Sequence, residues 1–484
     1  MIRLNRISWG AAALALLLSA CSLTPPLATP EIPTAVAYKE IGPWTQAQPN
    51  DRLPRDRWWM LYDNAELDGL QTRLIAGNPT LAAALANYAA ARALTDQARA
   101  GLYPSLGLSS GAERDRYSVN APLRGPATPT YYNVFTAGGS VSYELDLWGQ
   151  IRNEVAAGQA NAAAAAADLE NARLSLIAQL ADDYIQLRSF DRDSAILEET
   201  ITAYTRALTL TKQRHDAGIA PGLDVAQAQT QLNTARSRAA QTLAQRALQE
   251  HAIAALLGES VSTFSIQPAI VIIKIPQIPS GIPSDLLQRR PDIAAAQRRM
   301  IAANANIGVA RAAYFPSITL GAQGGFQSTS VSNWLTAPSS FWAIGPNALL
   351  SVFDGGLRRA QVAQARAGFD ASAANYRSTV VSAFQQVEDS LATLNHYHDA
   401  AMDEKAAVDS AQRSLDLSMQ LYVKGATDYL TVVTSQAAVL QTQLDALSLE
   451  TLQTRASVDL IRALGGGWED SAKALNSPAM AMKR

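Results

Sequence analysis

Apolar and polar residues alternate strictly in several short segments of the chain, and apolar residues recur at helical spacing in the long stretches between them. The clearest alternation lies between Phe135 and Leu147. One face of this segment carries Phe135, Ala137, Val141, Tyr143 and Leu145, and the other carries Thr136, Ser140, Ser142, Glu144 and Asp146. A two-residue period with one apolar and one polar face predicts a strand that separates lipid from water.

A similar alternation follows two prolines in the sequence. It runs from Ile318 to Phe326 after Pro316, and Pro104 opens a corresponding segment 212 residues earlier. Proline cannot continue a helix but can open a strand, so we predict helix-to-strand junctions at Pro104 and Pro316. A fourth strand is expected from Phe341 to Val352, with its ladder interrupted at Pro346.

Two stretches without proline, 149–218 and 354–425, are predicted to be unusually long helices. In the second stretch, residues fall every seven positions at Val380, Val387, Leu394, Ala401, Val408, Leu415 and Tyr422. A strict seven-residue repeat indicates a left-handed coiled coil. At about 1.5 Å per residue, each helix would extend on the order of 100 Å.

The second half of the sequence repeats the first half. Pro79 matches Pro291 and Pro104 matches Pro316 at an offset of 212, while Gly218 matches Gly425 and Gly258 matches Gly465 at an offset of 207. Each copy is predicted to run helix, strand, strand, long helix, turn and helix. The chain is therefore interpreted as one unit present twice.

The charge balance narrows the possible partners. The 484 residues carry 40 Lys and Arg against 42 Asp and Glu, which gives a formal net charge of −2. Because no basic excess is available to neutralise a phosphate backbone, we expect no nucleic-acid partner.

The N-terminus predicts export and a lipid anchor. Arg3 and Arg6 precede an apolar run from Trp9 to Leu18, which is too short to span a bilayer and is typical of a secretory signal. The run ends in "LSAC", which resembles the bacterial lipobox, in which Cys21 is lipidated and becomes the mature N-terminus. Cys21 is the only cysteine in the chain, so intrachain disulfides are excluded. Ser22, in place of an aspartate, resembles an outer-membrane sorting signal.

The strands require several chains to share one sheet. Four lipid-facing strands cannot close a barrel, and an open sheet edge in hydrocarbon leaves backbone groups unsatisfied at several kcal/mol each. Two, three or four chains with four strands each would give about eight, twelve or sixteen strands, and only the larger barrels leave room for a channel.

Several longer motifs then carry a family resemblance. The segment from Gly281 to Leu320 resembles the signature of TolC-like outer-membrane efflux factors, in the NodT/OprM-like lipoprotein branch that serves tripartite RND-type transporters. Further matches are "WWMLYDNAELDGL" (58–70), "FDGGLRRAQV" (353–362) and "LGGGW" (464–468). The resemblance implies an α+β membrane protein with the TolC-like fold. Each protomer would supply four β-strands and long coiled-coil helices to a homotrimer with a 12-stranded β-barrel and an α-helical barrel.

The resemblance and the repeats together divide the chain. We expect a signal peptide at 1–20, a lipidated N-terminal and equatorial segment at 21–78, and the first efflux repeat at 79–260. An equatorial linker at 261–290, the second repeat at 291–467 and a tail at 468–484 complete the division. A mixed equatorial collar would be built from Trp44 to Gly77, Ser262 to Leu287 and the tail after Gly465.

The candidate functional residues lie in two helical hairpin turns, "RHDAGIAPGLDV" (214–225) and "LYVKGATDYLTVVTSQ" (421–436). Gly218 and Gly425 fit the left-handed residue that ends a helix. The resemblance implies that these turns form a periplasmic tip, which closes the channel and docks a periplasmic adaptor protein.

The resemblance also assigns roles to single residues of the tip. Asp224 and Tyr422 match a polar latch pair, and the arginine of that latch falls on Thr427, so one latch bond is expected to be missing. Leu430 matches a constricting apolar residue. The acidic gate ring of the family falls on the neutral residues Thr431 and Thr434.

The implied function is a passive exit duct for small molecules across the outer membrane, coupled through the adaptor to an inner-membrane pump. No phosphate-binding loop, HExxH or CxxC pattern is present in the sequence, so no catalytic, metal or cofactor site is expected. His396 and His398 point to different faces of a helix, and the pair Glu388 and Asp389 is interpreted as a solvated helix flank. Two alternatives remain: a pore-free periplasmic coiled-coil tether anchored at Cys21, and an envelope enzyme.

Overall fold

The structure, a computed structural model of the chain, describes residues 23–32, 38–40, 57–122, 125, 127–276 and 290–466. The predicted signal peptide, Cys21, Trp44 and the tail at 468–484 lie outside the described residues. The chain divides into two compact units. The first comprises 1–30, 87–165 and 296–376, and the second comprises 31–86, 166–295 and 377–484.

The described residues form seven α-helices and four β-strands. The helices are α1 (Ala65–Gly77), α2 (Pro79–Ala100), α3 (Gln150–Asp216), α4 (Gly222–Leu257), α5 (Pro291–Ala312), α6 (Leu357–Val423) and α7 (Tyr429–Ala463). The strands are β1 (Ser105–Arg116), β2 (Tyr131–Glu144), β3 (Ser317–Ser328) and β4 (Ser340–Leu349). Among these helices, none combines the length and the apolar character needed to cross a membrane.

The element lengths repeat between the two halves of the chain. Helices α2 and α5 each have 22 residues, and strands β1 and β3 each have 12. The long helices α3 and α6 each have 67 residues, which corresponds to about 100 Å. Helices α4 and α7 have 36 and 35 residues. The same order of elements is therefore built twice from different residues.

The first unit contains one antiparallel sheet with the strand order β1-β2-β3-β4. The register pairs Gly138 of β2 with Gly325 of β3, and Gly139 with Gly324. Strands β1 and β4 lie at the two edges of the sheet, so each leaves one side without a partner strand among the described residues.

Three details of the strand predictions were wrong. The pairing of β4 with β3 continues through Pro346, which lies opposite Leu320, and β4 ends at Leu349. An edge strand tolerates proline because the missing N–H can face away from the ladder. Asp146 lies beyond the end of β2 at Glu144, and its carboxylate accepts the backbone N–H groups of Ile151 (3.0 Å) and Arg152 (2.9 Å) at the start of α3.

Small side chains pack the helices of the first unit closely together. Ala157 and Ala160 of α3 are buried against Ala302 and Ala305 of α5. Alanine side chains occupy little volume, so the two helix backbones can approach each other. Ala160 opens an alanine-rich run at 160–168, in which Ala164 and Ala167 are also buried, so this run supplies packing positions as well as favouring a helix.

The N-terminal segment lies along α5 of the same unit. The Leu23 carbonyl accepts a hydrogen bond from Arg311 (3.1 Å), and the Pro25 carbonyl accepts one from Asn304 (2.9 Å). The Thr24 hydroxyl donates to Asn153 Oδ1 of α3 at 2.7 Å. The described chain therefore begins in fixed contact with the last two turns of α5.

The second unit has a large apolar core beside α1. Its fully buried members include Trp59, Leu67, Leu74, Leu180, Leu187 and Leu394. The hydroxyl groups of Tyr62 and Ser457 lie 2.7 Å apart, and Gln71 donates to the Ile177 carbonyl at 2.8 Å. The Gln71 bond attaches α1 to the long helix α3, and the Tyr62 bond attaches the short 3-10 helix before α1 (Trp58–Tyr62) to α7.

A buried network of charges crosses the same unit. Asp191 of α3 accepts hydrogen bonds from Arg188 and from Arg246 of α4, both at 2.6 Å. Arg188 also pairs with Glu66 of α1 and donates to the Gln267 carbonyl at 2.9 Å. The network thus joins three helices to the extended segment that follows α4.

The contacts of Glu388 contradict its interpretation as part of a solvated helix flank. Its two carboxylate oxygens accept the backbone N–H groups of Lys39 (2.8 Å) and Glu40 (3.1 Å). The preceding residue of that segment, Tyr38, is buried in the core of the second unit. Glu388 is therefore the point on α6 to which residues 38–40 are attached.

Candidate functional site at the two helical hairpin turns

The first hairpin turn joins α3 to α4 through a left-handed glycine. Gly218 has φ of 71°, and the N–H of Ile219 donates to the Arg214 carbonyl at 2.8 Å. This six-to-one bond satisfies a carbonyl that the helix end would otherwise leave unpaired. The side chain of Ile219 is exposed, as is that of Leu223 in the first turn of α4.

The second hairpin turn, between α6 and α7, has the same geometry. Gly425 has φ of 75°, and the N–H of Ala426 donates to the Leu421 carbonyl at 2.9 Å. Asp428 then caps α7 by accepting the N–H (3.1 Å) and the hydroxyl (2.7 Å) of Thr431. These hydrogen bonds, first from the Thr431 side chain and then from its backbone, lower the pKa of Asp428.

Apolar and aromatic residues from both hairpins form one buried group, hereafter the tip cluster. Its members are Tyr204, Leu208, Ala228, Leu232, Ala235, Tyr422, Tyr429 and Val432. The rings of Tyr422 and Tyr429 lie 5.1 Å apart, and the Tyr204 hydroxyl donates to the Gln436 carbonyl at 3.1 Å. Burial raises the pKa of both Tyr204 and Tyr429 to about 12. The two hairpins are therefore packed together near their turns.

Asp224 lies close to Tyr422 of the tip cluster, and these are the two residues matched to a latch pair. Burial raises the pKa of Asp224 above its ordinary value; the Tyr422 hydroxyl and the charge of Arg214 oppose this rise, while Asp428 adds to it. The Tyr422 hydroxyl is buried and makes no hydrogen bond of ordinary geometry to a described residue. In this conformation the Tyr422 hydroxyl therefore lies near Asp224 without forming a regular hydrogen bond to it.

The other predicted gate residues lie outside the tip cluster. Leu430 is 51% exposed, and Thr434 is exposed with its hydroxyl donating to the Thr431 carbonyl at 3.0 Å. Thr431 serves the cap of α7, and the Thr427 hydroxyl donates to Thr431 Oγ1 at 3.1 Å. These hydroxyl groups bond within their own hairpin, so they do not connect the two turns.

Arg214 is a functional candidate that the sequence reasoning missed. It lies in the last turn of α3, with its guanidinium carbon 4.7 Å from the centre of the Tyr422 ring. One guanidinium nitrogen donates to the Val423 carbonyl at 3.2 Å. At the repeat offset of 207, Arg214 corresponds to Leu421. This difference between the two copies, a basic residue in one and an apolar residue in the other, was the sequence signal that could have identified Arg214.

The two junction prolines lie in the first unit, between a helix and a strand. Pro104 falls between α2, which ends at Ala100, and β1, and Pro316 falls between α5, which ends at Ala312, and β3. The Pro316 carbonyl accepts a hydrogen bond from the indole of Trp148 at 2.7 Å, and this indole stacks on Phe315 with ring centres 4.7 Å apart. A residue of the first copy thus supports the junction of the second copy.

Comparison with known proteins gives consistent matches over nearly the whole chain. The family model described as "Outer membrane efflux protein" matches residues 70–259 and 282–466. The chain is 30% identical over 468 residues to the probable efflux pump outer membrane protein TtgC of Pseudomonas putida KT2440, with 96% of each protein covered. It is 30% identical over 472 residues to outer membrane protein OprJ of Pseudomonas aeruginosa PAO1, covering 96% of this chain and 98% of OprJ.

A solved structure has the same fold. The outer-membrane channel OprN superimposes on this chain with a TM-score of 0.85 at 28% sequence identity. The superposition covers 93% of this chain and 100% of OprN. The similarity therefore includes both the sheet and the helical hairpins.

Proposed function

The chain belongs to the outer membrane efflux protein family, and on that premise we propose that it is the outer-membrane channel of a tripartite efflux system, a passive exit duct for small molecules. The observation that carries the proposal is the joining of one four-stranded sheet to two long helical hairpins in a single chain. The four-stranded sheet would lie in the outer membrane, and the long helical hairpins would extend into the periplasm.

The open sheet edges support a homotrimer. Strands β1 and β4 each leave one side without a partner strand among the described residues, and free backbone groups in hydrocarbon cost several kcal/mol each. Pairing β1 of one chain with β4 of the next removes both edges. Three chains with four strands each would give a closed twelve-stranded barrel, large enough to leave a channel.

The hairpin turns support docking of a periplasmic adaptor, which would link the channel to an inner-membrane pump. Ile219 and Leu223 are 65% and 64% exposed on the first turn. Two large apolar side chains exposed within five residues of one turn suit a protein partner better than water. The glycines at 218 and 425 keep both turns narrow. The channel would catalyse no reaction, and the pump would supply the energy for transport.

Planar-bilayer recordings test the channel against the tether. The purified native chain is expected to migrate as a heat-sensitive trimer in gel electrophoresis and to produce discrete conductance steps, because three shared sheets enclose a water-filled pore. A pore-free tether would give no conductance at any voltage. The absence of steps from a verified trimer would overturn the proposed function.

The contacts of the N-terminal segment support the lipid anchor at Cys21. Cys21 lies outside the described residues, but Leu23 and Thr24 are bonded to Arg311 and Asn153, close to the start of β3. If β3 enters the membrane, the chain two residues after Cys21 lies near the membrane surface. An acyl chain on Cys21 could then enter the bilayer without moving the segment.

Replacing Cys21 by serine is expected to abolish lipidation completely, because no other cysteine is present to accept a lipid. Mass spectrometry of the purified protein and incorporation of labelled palmitate measure the change. Ser22→Ala, which keeps the cysteine, should retain the lipid. Full labelling of Cys21→Ser would contradict the assignment.

A further inference from the structure

We propose that Arg214 is the residue that locks the two hairpin turns together in the closed channel. This inference rests on the proposed function and deepens it, because it names a positioning residue for the gate. Arg214 belongs to the first hairpin, whereas the two groups it contacts, the Tyr422 ring and the Val423 carbonyl, belong to the second. The side chain therefore crosses from one hairpin to the other.

The first contact is a cation stacked on an aromatic ring. The guanidinium carbon lies 4.7 Å from the centre of the Tyr422 ring, inside the distance at which such pairs attract. Tyr422 is buried, and the Nε atom of Arg214 is also buried without a hydrogen-bond partner among the described residues. On the side of the guanidinium that faces the ring, these buried atoms reduce contact with water, which strengthens the attraction between the charge and the ring.

The second contact places a positive charge at the end of a helix. Helix α6 ends at Val423, whose carbonyl is among the last four that have no partner within the helix. Arg214 donates to this oxygen at 3.2 Å. A cation at a helix C-terminus is favourable because the carbonyl ends of the peptide dipoles are negative.

The surroundings of Arg214 also explain how the turns hold together without an arginine at 427. Thr427 bonds to Thr431 within the second hairpin and leaves the first hairpin untouched. Arg214 approaches the same tyrosine from the opposite hairpin and lies near enough to Asp224 for their charges to interact. The cation of this gate thus comes from α3.

Replacing Arg214 by alanine is expected to raise the ratio of open to closed channels roughly tenfold in planar bilayers, equivalent to about 1.4 kcal/mol. Arg214→Lys should give an intermediate ratio, because an ammonium keeps the charge but loses the planar face and the fork of donors. Lys212→Ala is the matched control: Lys212 is exposed on the same turns of α3 and makes no ion pair with a described residue. It should conduct like the native protein.

A double-variant cycle tests whether Arg214 acts through the tyrosine ring. If the two side chains form one contact, Arg214→Ala combined with Tyr422→Leu should open the channel no further than the stronger single variant. Fully additive effects, or a native ratio in Arg214→Ala, would overturn the proposal.

Hydrogen exchange separates failure of the latch from failure of the channel. In Arg214→Ala, the amides of the second turn, at 424–431, should exchange at least several-fold faster than in Lys212→Ala, although the substitution lies in the first hairpin. Unchanged exchange would overturn the latch even if the native protein conducts. Faster exchange without native conductance would uphold the latch and refute only the proposed channel.

Discussion

Replacing Gly325 by alanine is expected to prevent the sheet from assembling and to reduce the protein recovered in the outer membrane by about tenfold or more, which corresponds to at least 1.4 kcal/mol. A Cβ atom at position 325 would lie 2.5 Å from Gly138 Cα and would also collide with the Ala137 carbonyl oxygen. Carbon atoms in normal contact are about 3.5–4.0 Å apart. Both obstacles are backbone atoms, so no side chain can move aside to relieve them.

Relief of this collision requires β2 and β3 to separate. The two strands are paired from Phe135 opposite Ser328 to Glu144 opposite Thr319, and the collision falls inside that ladder. Each ladder hydrogen bond lost in hydrocarbon leaves groups unsatisfied at several kcal/mol. The cost therefore exceeds that of ordinary overpacking, which is about 1–3 kcal/mol.

Gly321→Ala provides the matched control on the same strand. A Cβ atom at position 321 would meet only the Gly345 carbonyl oxygen, at 3.9 Å, which is an ordinary contact. Immunoblots of outer-membrane fractions and the yield of heat-sensitive trimer measure assembly in both variants. Equal recovery of the two variants would show that the close approach of β2 and β3 does not limit assembly.

Replacing Arg188 by alanine is expected to lower the free energy of unfolding of the second unit by about 3–5 kcal/mol, the usual cost of removing one partner from a buried ion pair. The side chains of Arg188 and Asp191 are 3% and 2% exposed. Without Arg188, the Gln267 carbonyl loses a donor, and Asp191 keeps Arg246 and the Ala269 N–H as its donors among the described residues, at 2.6 and 3.2 Å. The extended segment after α4 would lose part of its attachment.

Arg192→Ala is the control, one turn further along α3. Arg192 makes a two-bond pair with Glu450 at 2.8 Å for each bond, but the two side chains are 25% and 38% exposed. Water and ions screen such a pair, and its loss typically costs about 0–1 kcal/mol. Thermal unfolding in detergent should therefore show a much larger decrease in Tm for Arg188→Ala than for Arg192→Ala.

Arg188→Lys keeps the measurement informative if the alanine variant does not fold. Lysine retains the charge but has a single ammonium group, so it cannot reach Asp191, Glu66 and the Gln267 carbonyl together. An intermediate Tm is expected, with faster amide exchange in the segment 264–276. A native Tm and native exchange for Arg188→Lys would mean that the charge alone stabilises the network.

Local patterns in the sequence predicted most of the fold. The two-residue period located β2 and β3, and the absence of proline predicted long helices at 149–218 and 354–425, where the structure has Gln150–Asp216 and Leu357–Val423. The errors also came from interpreting a residue by its local sequence alone. Pro346 suggested a broken ladder because proline lacks an N–H, but the consequence of that loss depends on whether the strand lies at an edge.

The candidate site was predicted in part. Glycine at the end of each long helix located both turns, since left-handed φ values favour glycine strongly. The roles of Asp224, Tyr422, Leu430, Thr431 and Thr434 came only from the family resemblance and stay predictions. Arg214 was not singled out, because its partners Tyr422 and Val423 lie 208 and 209 residues away, and a single sequence has no pattern at that separation.

The sequence alone determined the features that arise from periodicity and steric preference: the duplication, the strand and helix segments, the junctions at Pro104 and Pro316, and the two turns. These depend on neighbours within a few residues. Only the tertiary structure decided which distant side chains meet. It brought Arg188, Asp191 and Arg246 together in one buried network, placed Glu388 against the backbone of Lys39, and stacked Arg214 on Tyr422. Such contacts depend on how complete helices pack, and packing is set by the whole chain rather than by any one segment.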